Sequence, residues 1–501
     1  MPENLYNMPV SDPAGQNFAD RPDSTKFMSN PLFTADEIAA WSGGFWTEKP
    51  LSPLASITTD SRSVPTGSLF VALQGERFDA HDFVPAACQS GAGAVVVRQG
   101  YVWPPEAGAA PCMLVVSDTL RALQKLAAGY RRSVVAAKFV GITGSAGKTT
   151  VKEITAHLLA AAGATARTIG NFNNEIGLPL SLLRMQRETR FGVFEIGMNH
   201  PGEIAPLAAL LAPDCGVITN VGPVHLEAFK DVAAIAAEKA ELLRALPSGG
   251  LAFLDRDSPW FEYLASQAPC RVIDVSLEQD AGVRGMVRNE LTGSFTVCER
   301  GQKAEVEITT GLAGRHNMTN ALLAIAVART FGVSWEGIKA ALLSLPRPPM
   351  RWETSQLGGL HIINDAYNAS PISMQAALET FADWPSEGRR VALLADMLEL
   401  GADKEEKLHR ETGRQAVASG VELLVLVGWR AGRWIAAGAR AAGLDESRIC
   451  VCADREEAAV RLGQLLLPGD TLLLKGSRSM ALEEVLAGLR RQKNIFEKKL
   501  I

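Results

Sequence analysis

The chain has 501 residues, 47% of them hydrophobic and 21% charged, with a formal net charge of −5. That length exceeds what one hydrophobic core supports and points to about three domains of an ordinary soluble globular protein. The slightly acidic balance gives no ground for a nucleic-acid or anionic-membrane partner, and no apolar run approaches the ~18 residues of a membrane span. Residues 1–32 are rich in Pro, Asn, Asp and Ser and lack the basic start and apolar centre of a secretory leader. They read as a disordered extension without a catalytic role. The seven cysteines are scattered, with no Cys-x-x-Cys pair, which suits a reducing cytoplasm.

In chain order, residues 33–134 predict a small α/β unit: a helix over 35–41, strands over 68–73 and 92–97, and a helix over 120–132. Residues 135–345 predict strands at 139–143, 191–196, 215–221, 250–254 and 271–275 with helices between the earlier ones. This is the alternation of βαβ units and a parallel sheet. Val151, Ile154, Leu158 and Leu159 recur at helical spacing, with Gly163 as the expected C-cap. Short alternating stretches over 284–312 predict an antiparallel meander. Three prolines within residues 346–349 mark a linker. Residues 346–501 then alternate again, with strands at 361–364, 391–395, 423–427, 449–452 and 472–475, as in a Rossmann-like domain. The expected fold class is α/β in three domains: a small N-terminal α/β domain, a central parallel-sheet domain of the P-loop ATPase kind and a Rossmann-like C-terminal domain.

The central domain carries Gly141-Ile-Thr-Gly-Ser-Ala-Gly-Lys-Thr-Thr150 between an apolar strand and a helix. Backbone N–H groups of Gly144, Ser145, Ala146 and Gly147 and the helix N-terminus would cradle phosphates. Lys148 would reach the outer phosphates, and the hydroxyl of Thr149, followed by Thr150, would serve Mg²⁺. The usual P-loop spacing asks for glycine at 142, where Ile142 stands. Glu195 closes an otherwise apolar strand and reads either as a metal-facing acid or as a strand-end acid turned to solvent. His225 follows a strand and a Gly-Pro turn and reads on its own as structural. Lys239, in Glu238-Lys-Ala-Glu241, reads on its own as a solvated helix residue. Asparagines cluster at Asn171, Asn173 and Asn174, at Asn199 beside His200, and at Asn317 and Asn320. They suit sugar, amide and adenine recognition or, equally, turns and caps. Asp365 and Asn368 lie between a strand and a helix of the third domain, where parallel sheets bind ligands and where helices are capped.

With these stretches together, residues 33–490 resemble the Mur ligases of peptidoglycan synthesis. The resemblance rests on Asp60-Ser-Arg62, Gly67-Ser-Leu-Phe-Val-Ala-Leu-Gln-Gly75, the phosphate loop with its irregular spacing, and Asn171-Phe-Asn-Asn-Glu-Ile-Gly-Leu-Pro179. It continues in Glu195-Ile-Gly-Met-Asn-His-Pro-Gly-Glu-Ile204, Gly314-Arg-His-Asn-Met-Thr-Asn320, Met350-Arg-Trp-Glu353, Asp365-Ala-Tyr-Asn368, Asp396-Met-Leu-Glu-Leu-Gly401 and Leu474-Lys-Gly-Ser477. The 195–204 and 396–401 stretches favour the branch that joins D-alanyl-D-alanine to UDP-N-acetylmuramoyl-tripeptide. The Asp-Asn-Pro-Arg motif of the diaminopimelate-adding branch is absent.

The resemblance implies an ATP-dependent cytoplasmic ligase, a monomer with no membrane span, working through an acyl phosphate with two Mg²⁺ ions. It assigns Thr149 and Glu195 to one ion and His225 with a carbamylated Lys239 to the other, making Lys148, Glu195, His225 and Lys239 the catalytic set. Asn317 and Asn320 would lie near adenine and ribose. Arg351, Asp365 and Asn368 would reach the nucleotide from the third domain. Ser61 and Arg62 would lie near UDP, with Asn173, Asn174, Asn199 and His200 toward the substrate. An open form would close on its ligands. Ala146 stands where the family usually has Asn, and Ala395 where Gly is common. A P-loop nucleotide switch would carry Asn-Lys-x-Asp, which is absent, and would leave the third domain without a task. Another amino-acid ligase of the same family remains the nearer alternative. Folylpolyglutamate synthetase shares the architecture but lacks the UDP-binding first domain.

Overall fold

The computed structural model describes residues 32–75, 78–134 and 136–491. The expected N-terminal extension and residues 492–501 lie outside them. Three sheets form the backbone of the molecule. The first has five short strands in the order Phe45–Trp46, Met113–Val116, Ala94–Arg98, Leu69–Val71, Ile57–Thr58, parallel except for the first pair.

The central sheet has nine strands. Six of them, in the spatial order Arg271–Ser276, Leu251–Asp255, Cys215–Ile218, Lys138–Thr143, Phe191–Glu195, Thr165–Arg167, run parallel. The expected meander is present as Val283–Asn289, Ser294–Glu299 and Glu305–Thr309, and it extends this same sheet by pairing with Arg271–Ser276. The third sheet has five parallel strands and an antiparallel edge strand, Glu353–Leu357, absent from the sequence expectation.

The central strands are apolar on both faces because helices cover both faces. Successive side chains of Lys138–Thr143 enter opposite clusters: Phe139 packs with Phe194, while Val140 and Ile142 pack with Val151, Ile154 and the helix Arg315–Thr330. The helices start where short polar side chains satisfy their first N–H groups. Thr34 and Glu37 form a reciprocal cap, and Asp118, Asp231 and Ser370 cap three further helices. At the expected cap, Gly163 N–H donates to the Leu159 carbonyl at 3.1 Å but Gly163 does not take left-handed geometry. The helix Lys148–Ala160 ends on Ala161 in right-handed geometry, and Gly163 instead packs against Arg190.

One apolar cluster runs without a break from the first domain into the central one. Its hub is the helix Thr119–Ser133, which buries Leu123, Leu126 and Tyr130. The Tyr130 ring meets Phe33 edge-on at 5.2 Å, and its hydroxyl donates to the Met185 carbonyl. Each large apolar side chain buried there contributes roughly 1.5–3 kcal/mol. The third domain has one cluster to itself and a second that takes in Ala313 of the central domain; Leu408 packs against the central core, and polar contacts at Glu399, Arg351 and Lys404 complete the boundary. Tyr130→Ala is therefore expected to cost about 3–5 kcal/mol. In urea unfolding followed by probes in each domain, the first and central domains should lose stability together; a first-domain transition shifted alone would contradict the shared core.

Candidate active site

The strand Lys138–Thr143 lies mid-sheet and delivers its loop between the ends of its two neighbours. Gly147, with φ of 80°, starts the helix Lys148–Ala160 without any side-chain cap, so its first N–H groups remain for a ligand. A Cβ on Gly147 would stand 2.6 Å from Asn320 Oδ1, and one on Gly144 1.8 Å from Thr219 Oγ1. No larger residue fits either place.

The exit of the Cys215–Ile218 strand stitches the loop down. Asn220 Oδ1 accepts from Ala146 N–H at 2.9 Å, Asn220 Nδ2 donates to the Ala146 carbonyl at 3.1 Å, and Thr219 Oγ1 donates to it at 2.5 Å. Ser145 Oγ donates to the Gly222 carbonyl at 3.0 Å and accepts the Gly222 N–H at 2.9 Å. The side chain missing at Ala146 thus leaves the cradle held through its backbone. Lys148 Nζ donates to the Gly144 carbonyl at 2.8 Å. Thr150 follows in the first helical turn.

Glu195 is 3% exposed, which overturns the solvent-facing reading. It accepts from Thr149 Oγ1 at 3.0 Å and from Asn173 Nδ2 at 2.8 Å. Its backbone N–H donates to Thr168 Oγ1 at 2.8 Å. Arg351 reaches across from the third domain, donating to Thr149 Oγ1 at 3.2 Å while its guanidinium lies 4.2 Å from the Tyr367 ring centre. Burial lowers the Lys148 pKa; Glu195 opposes this and Arg351 adds to it.

Among the described residues, no three His, Cys, Asp or Glu side chains gather to hold a metal. The Thr149 hydroxyl and the Glu195 carboxylate fit Mg²⁺ nonetheless, because this ion takes one or two protein oxygens and fills its shell with phosphate and water.

Lys239 is 2% exposed on the sheet-facing side of the helix Val232–Arg244, which overturns the solvated-helix reading. Among the described residues its one hydrogen-bond partner is Met198 Sδ at 3.9 Å. Burial, then Lys148, hold its pKa well below the usual lysine value, while Glu238 opposes. The oxygens of Glu238 are taken by the N–H groups of Gly202 and Ile204, each at 2.8 Å. His225, at φ of 50°, pairs through Nδ1 with Glu399 Oε2 of the third domain at 2.5 Å. No hydrogen bond or ion pair joins His225 to Glu195 or Lys239 among the described residues.

Asn317 and Asn320 are buried against the loop and bonded to each other at 3.4 Å, with Asn317 also donating to the Ala313 carbonyl at 2.7 Å. Asp365 accepts from Lys475 Nζ at 2.5 Å and from Trp352 N–H at 3.1 Å. Asn368 bonds its own turn at Ala369, and Lys475 also donates to the Asn368 carbonyl at 3.2 Å. Asn174 caps the next helix through Gly177 N–H at 2.8 Å.

Among the described residues no hydrogen bond ties the remaining expected residues to Glu195, His225 or Lys239, although His200 lies near enough to Glu399 to help lower its carboxyl pKa. The backbone N–H groups of Asn199 and His200 bind Glu203, and both side chains are exposed. In the first domain Ser61 is half-buried, and the exposed Arg62 folds onto Asp60 through bonds of 2.8 and 2.9 Å. Sequence reasoning missed Thr219, Asn220, Glu399 and Lys475. Lys475, a lysine closing a wholly apolar strand, carried the clearest signal.

Asn220→Ala removes two bonds to the loop and is expected to weaken ADP binding by up to about 30-fold by calorimetry, the equivalent of two hydrogen bonds of about 1 kcal/mol each. Because burial puts the folded pKa of Lys239 below its unfolded one, Lys239 lowers stability wherever the unfolded chain holds the proton, and the loss fades as pH rises. Lys239→Met avoids that cost. It should melt above the wild type at pH 7 in CO2-free, Mg²⁺-free buffer, with the gap closing as pH rises toward 10.

Three family models match the chain: "Mur ligase family, catalytic domain" over residues 53–131, "Mur ligase middle domain" over 142–328 and "Mur ligase, glutamate ligase domain" over 350–478. UDP-N-acetylmuramoyl-tripeptide–D-alanyl-D-alanine ligase of Escherichia coli (strain K12) is 37% identical over 445 residues, covering 87% of this chain and 94% of its own. MurF from Acinetobacter baumannii superimposes with a TM-score of 0.84 at 29% identity, covering 93% of this chain and 100% of that one. MurF ligase from Thermotoga maritima, solved in complex with ADP, gives 0.74 at 27% identity over 88% of this chain and 98% of that one. On its phosphate loop, its three sheets and these likenesses together, the chain belongs to the Mur ligase family of ATP-dependent ligases.

Proposed function

We propose that the protein joins D-alanyl-D-alanine to UDP-N-acetylmuramoyl-tripeptide with consumption of ATP, completing a peptidoglycan precursor. The observation that carries the reaction class is the meeting at Thr149 of three elements: the phosphate-loop helix, the carboxylate of Glu195 and Arg351 from the third domain. The choice of substrates rests on the relatives, which carry that name in Escherichia coli and Bacillus subtilis.

A carboxylate resists attack by an amine until one of its oxygens becomes a leaving group. In the proposed sequence a carboxylate oxygen of the tripeptide attacks the γ-phosphorus of ATP and ADP departs. The dipeptide amine then adds to the carbonyl carbon of the acyl phosphate, loses a proton, and the tetrahedral adduct expels phosphate to leave the amide. Carboxylate and triphosphate repel each other, so the cations of the site do the decisive work. Lys148 and the helix N-terminus hold the phosphates, and Arg351 neutralises charge from the other side. Asn317 and Asn320 take the adenine and ribose, with Asp365 and Asn368 opposite. Ser61 and Arg62 serve the UDP end, while Asn173, Asn174, Asn199 and His200 line the tripeptide path.

Mg²⁺, bound by Thr149 and Glu195, would supply charge neutralisation at the β- and γ-oxygens. A second ion, on His225 and Lys239, is part of the same proposal. Lys239 is suited to it because burial makes its amine give up a proton more readily than an exposed lysine, and the deprotonated amine adds CO2, giving a carbamate and a released proton. The carbamate supplies the oxygen ligand that this position otherwise lacks.

Phosphate release measured with the UDP-linked tripeptide and a panel of amines tests the proposal. Release should depend on D-alanyl-D-alanine, and nucleotide hydrolysis indifferent to both substrates would overturn it. Lys239→Ala should abolish turnover; bicarbonate should not restore it, whereas a short-chain carboxylate should in part. Near-normal turnover in that variant would remove Lys239 from the site.

A further inference from the structure

Two left-handed residues that are not glycine meet across the boundary between the central and third domains. His225 has φ of 50° and Glu399 φ of 64°, and His225 Nδ1 lies 2.5 Å from Glu399 Oε2. Such backbone is costly for a residue with a Cβ and persists where its surroundings over-determine it.

The surroundings of Glu399 do so. It follows the strand Arg390–Ala395 in a stretch held by its neighbours: Asp396 Oδ1 accepts Ala431 N–H at 2.7 Å, Met397 N–H donates to His409 Nε2 at 3.0 Å, and Leu398 N–H donates to Ser477 Oγ at 3.0 Å. The contact is flanked by two further bonds between the domains. Glu227 N–H donates to the Glu399 carbonyl at 3.3 Å, and Lys404 Nζ donates to the Lys230 carbonyl at 2.8 Å. The pairing also holds the Glu399 carboxyl below its usual pKa.

A carboxylate can only accept, so the proton of the neutral imidazole sits on Nδ1 and the Nε2 lone pair is left free. Isolated imidazole has no such fixed choice. A carboxylate on the far nitrogen is the usual way a metal-binding histidine is aimed and made more basic.

We infer that Glu399 is a positioning residue of the third domain that sets the His225 tautomer, so that docking of that domain prepares His225 Nε2 as a ligand. The inference rests on the proposed role of His225 and deepens it: completion of the second cation position is tied to domain closure through one hydrogen bond. Glu399 itself is half-exposed and touches neither substrate nor metal in this account.

The test uses the full-length protein with Glu399→Ala and Glu399→Gln. Both keep the Cβ substituent at the strained position, and Gln keeps an acceptor. Ring-nitrogen NMR of histidine-labelled, metal-free protein above the histidine titration range reads the tautomer. The His225 signal, one of seven, is identified by its loss in His225→Gln. The Nδ1–H form is expected in the wild type and in Glu399→Gln, and its loss in Glu399→Ala.

Mn²⁺ titration with ADP, followed by the paramagnetic signal of the free ion, should show the weaker site losing about 10–100-fold in affinity in Glu399→Ala. The kcat should fall in parallel and the KM for ATP should change little. An unchanged tautomer together with metal affinity within about twofold of wild type would overturn the inference. Wild-type protein without dipeptide-dependent phosphate release would overturn the proposed function instead, and the NMR result, which needs neither metal nor turnover, would still decide the role of Glu399.

Discussion

Lys148 lies close enough to Lys239 to depress its proton affinity, Arg351 reaches the loop from another domain, and Glu195 is, among the described residues, the carboxylate bonded to the loop's Thr149. This crowding of buried basic groups is the constraint around which the molecule is arranged. Burying unpaired charge is expensive, and proteins keep it where an anion will repay the cost. Three features follow from it. The loop is tied down by Thr219 and Asn220 because its own chemistry gives it no counterion. Glu238, the acid nearest Lys239, is spent on backbone N–H groups, so it leaves the amine unpaired. The helix behind the loop starts without a cap, so its dipole adds to the same field.

The two domain boundaries differ in kind. The first and central domains share a continuous apolar core centred on Tyr130, which resists separation. The third domain is held by the Pro-rich linker, by polar contacts at Arg351, Glu399 and Lys404 and by smaller apolar contacts at Leu408 and Ala313, without a continuous shared core. Relative motion therefore belongs chiefly to the third domain. That is the domain whose contribution to the site, Arg351 and Glu399, is made through single hydrogen bonds that form or break as a unit.

Much of this was legible in the sequence because it depends on local rules. The phosphate loop declares itself by glycines where a Cβ would collide with Asn320 or Thr219, and the parallel strands by apolar runs between helical periods. The meander over 283–309 was visible from its alternation, but not its attachment to the parallel sheet, which depends on a pairing register no local pattern encodes. Lys239 was misread by its own neighbours. Glu238 and Glu241 suggest a surface ion-pair ladder, and only the packing of the helix on the sheet turns Lys239 inward. Asn220 and Glu399 act across elements distant in the chain, so their roles could be found only in three dimensions, whereas Lys475 announced itself at the end of an apolar strand and only its partner Asp365 did not.

The central claim is that this cationic site makes a carboxylate into a leaving-group ester of phosphate. It is tested most directly by labelling both oxygens of the acceptor carboxylate of UDP-N-acetylmuramoyl-tripeptide with 18O and running one turnover with ATP and D-alanyl-D-alanine. The account predicts that one labelled oxygen appears in the released phosphate and the other stays in the new amide. Unlabelled phosphate accompanying amide formation would contradict it.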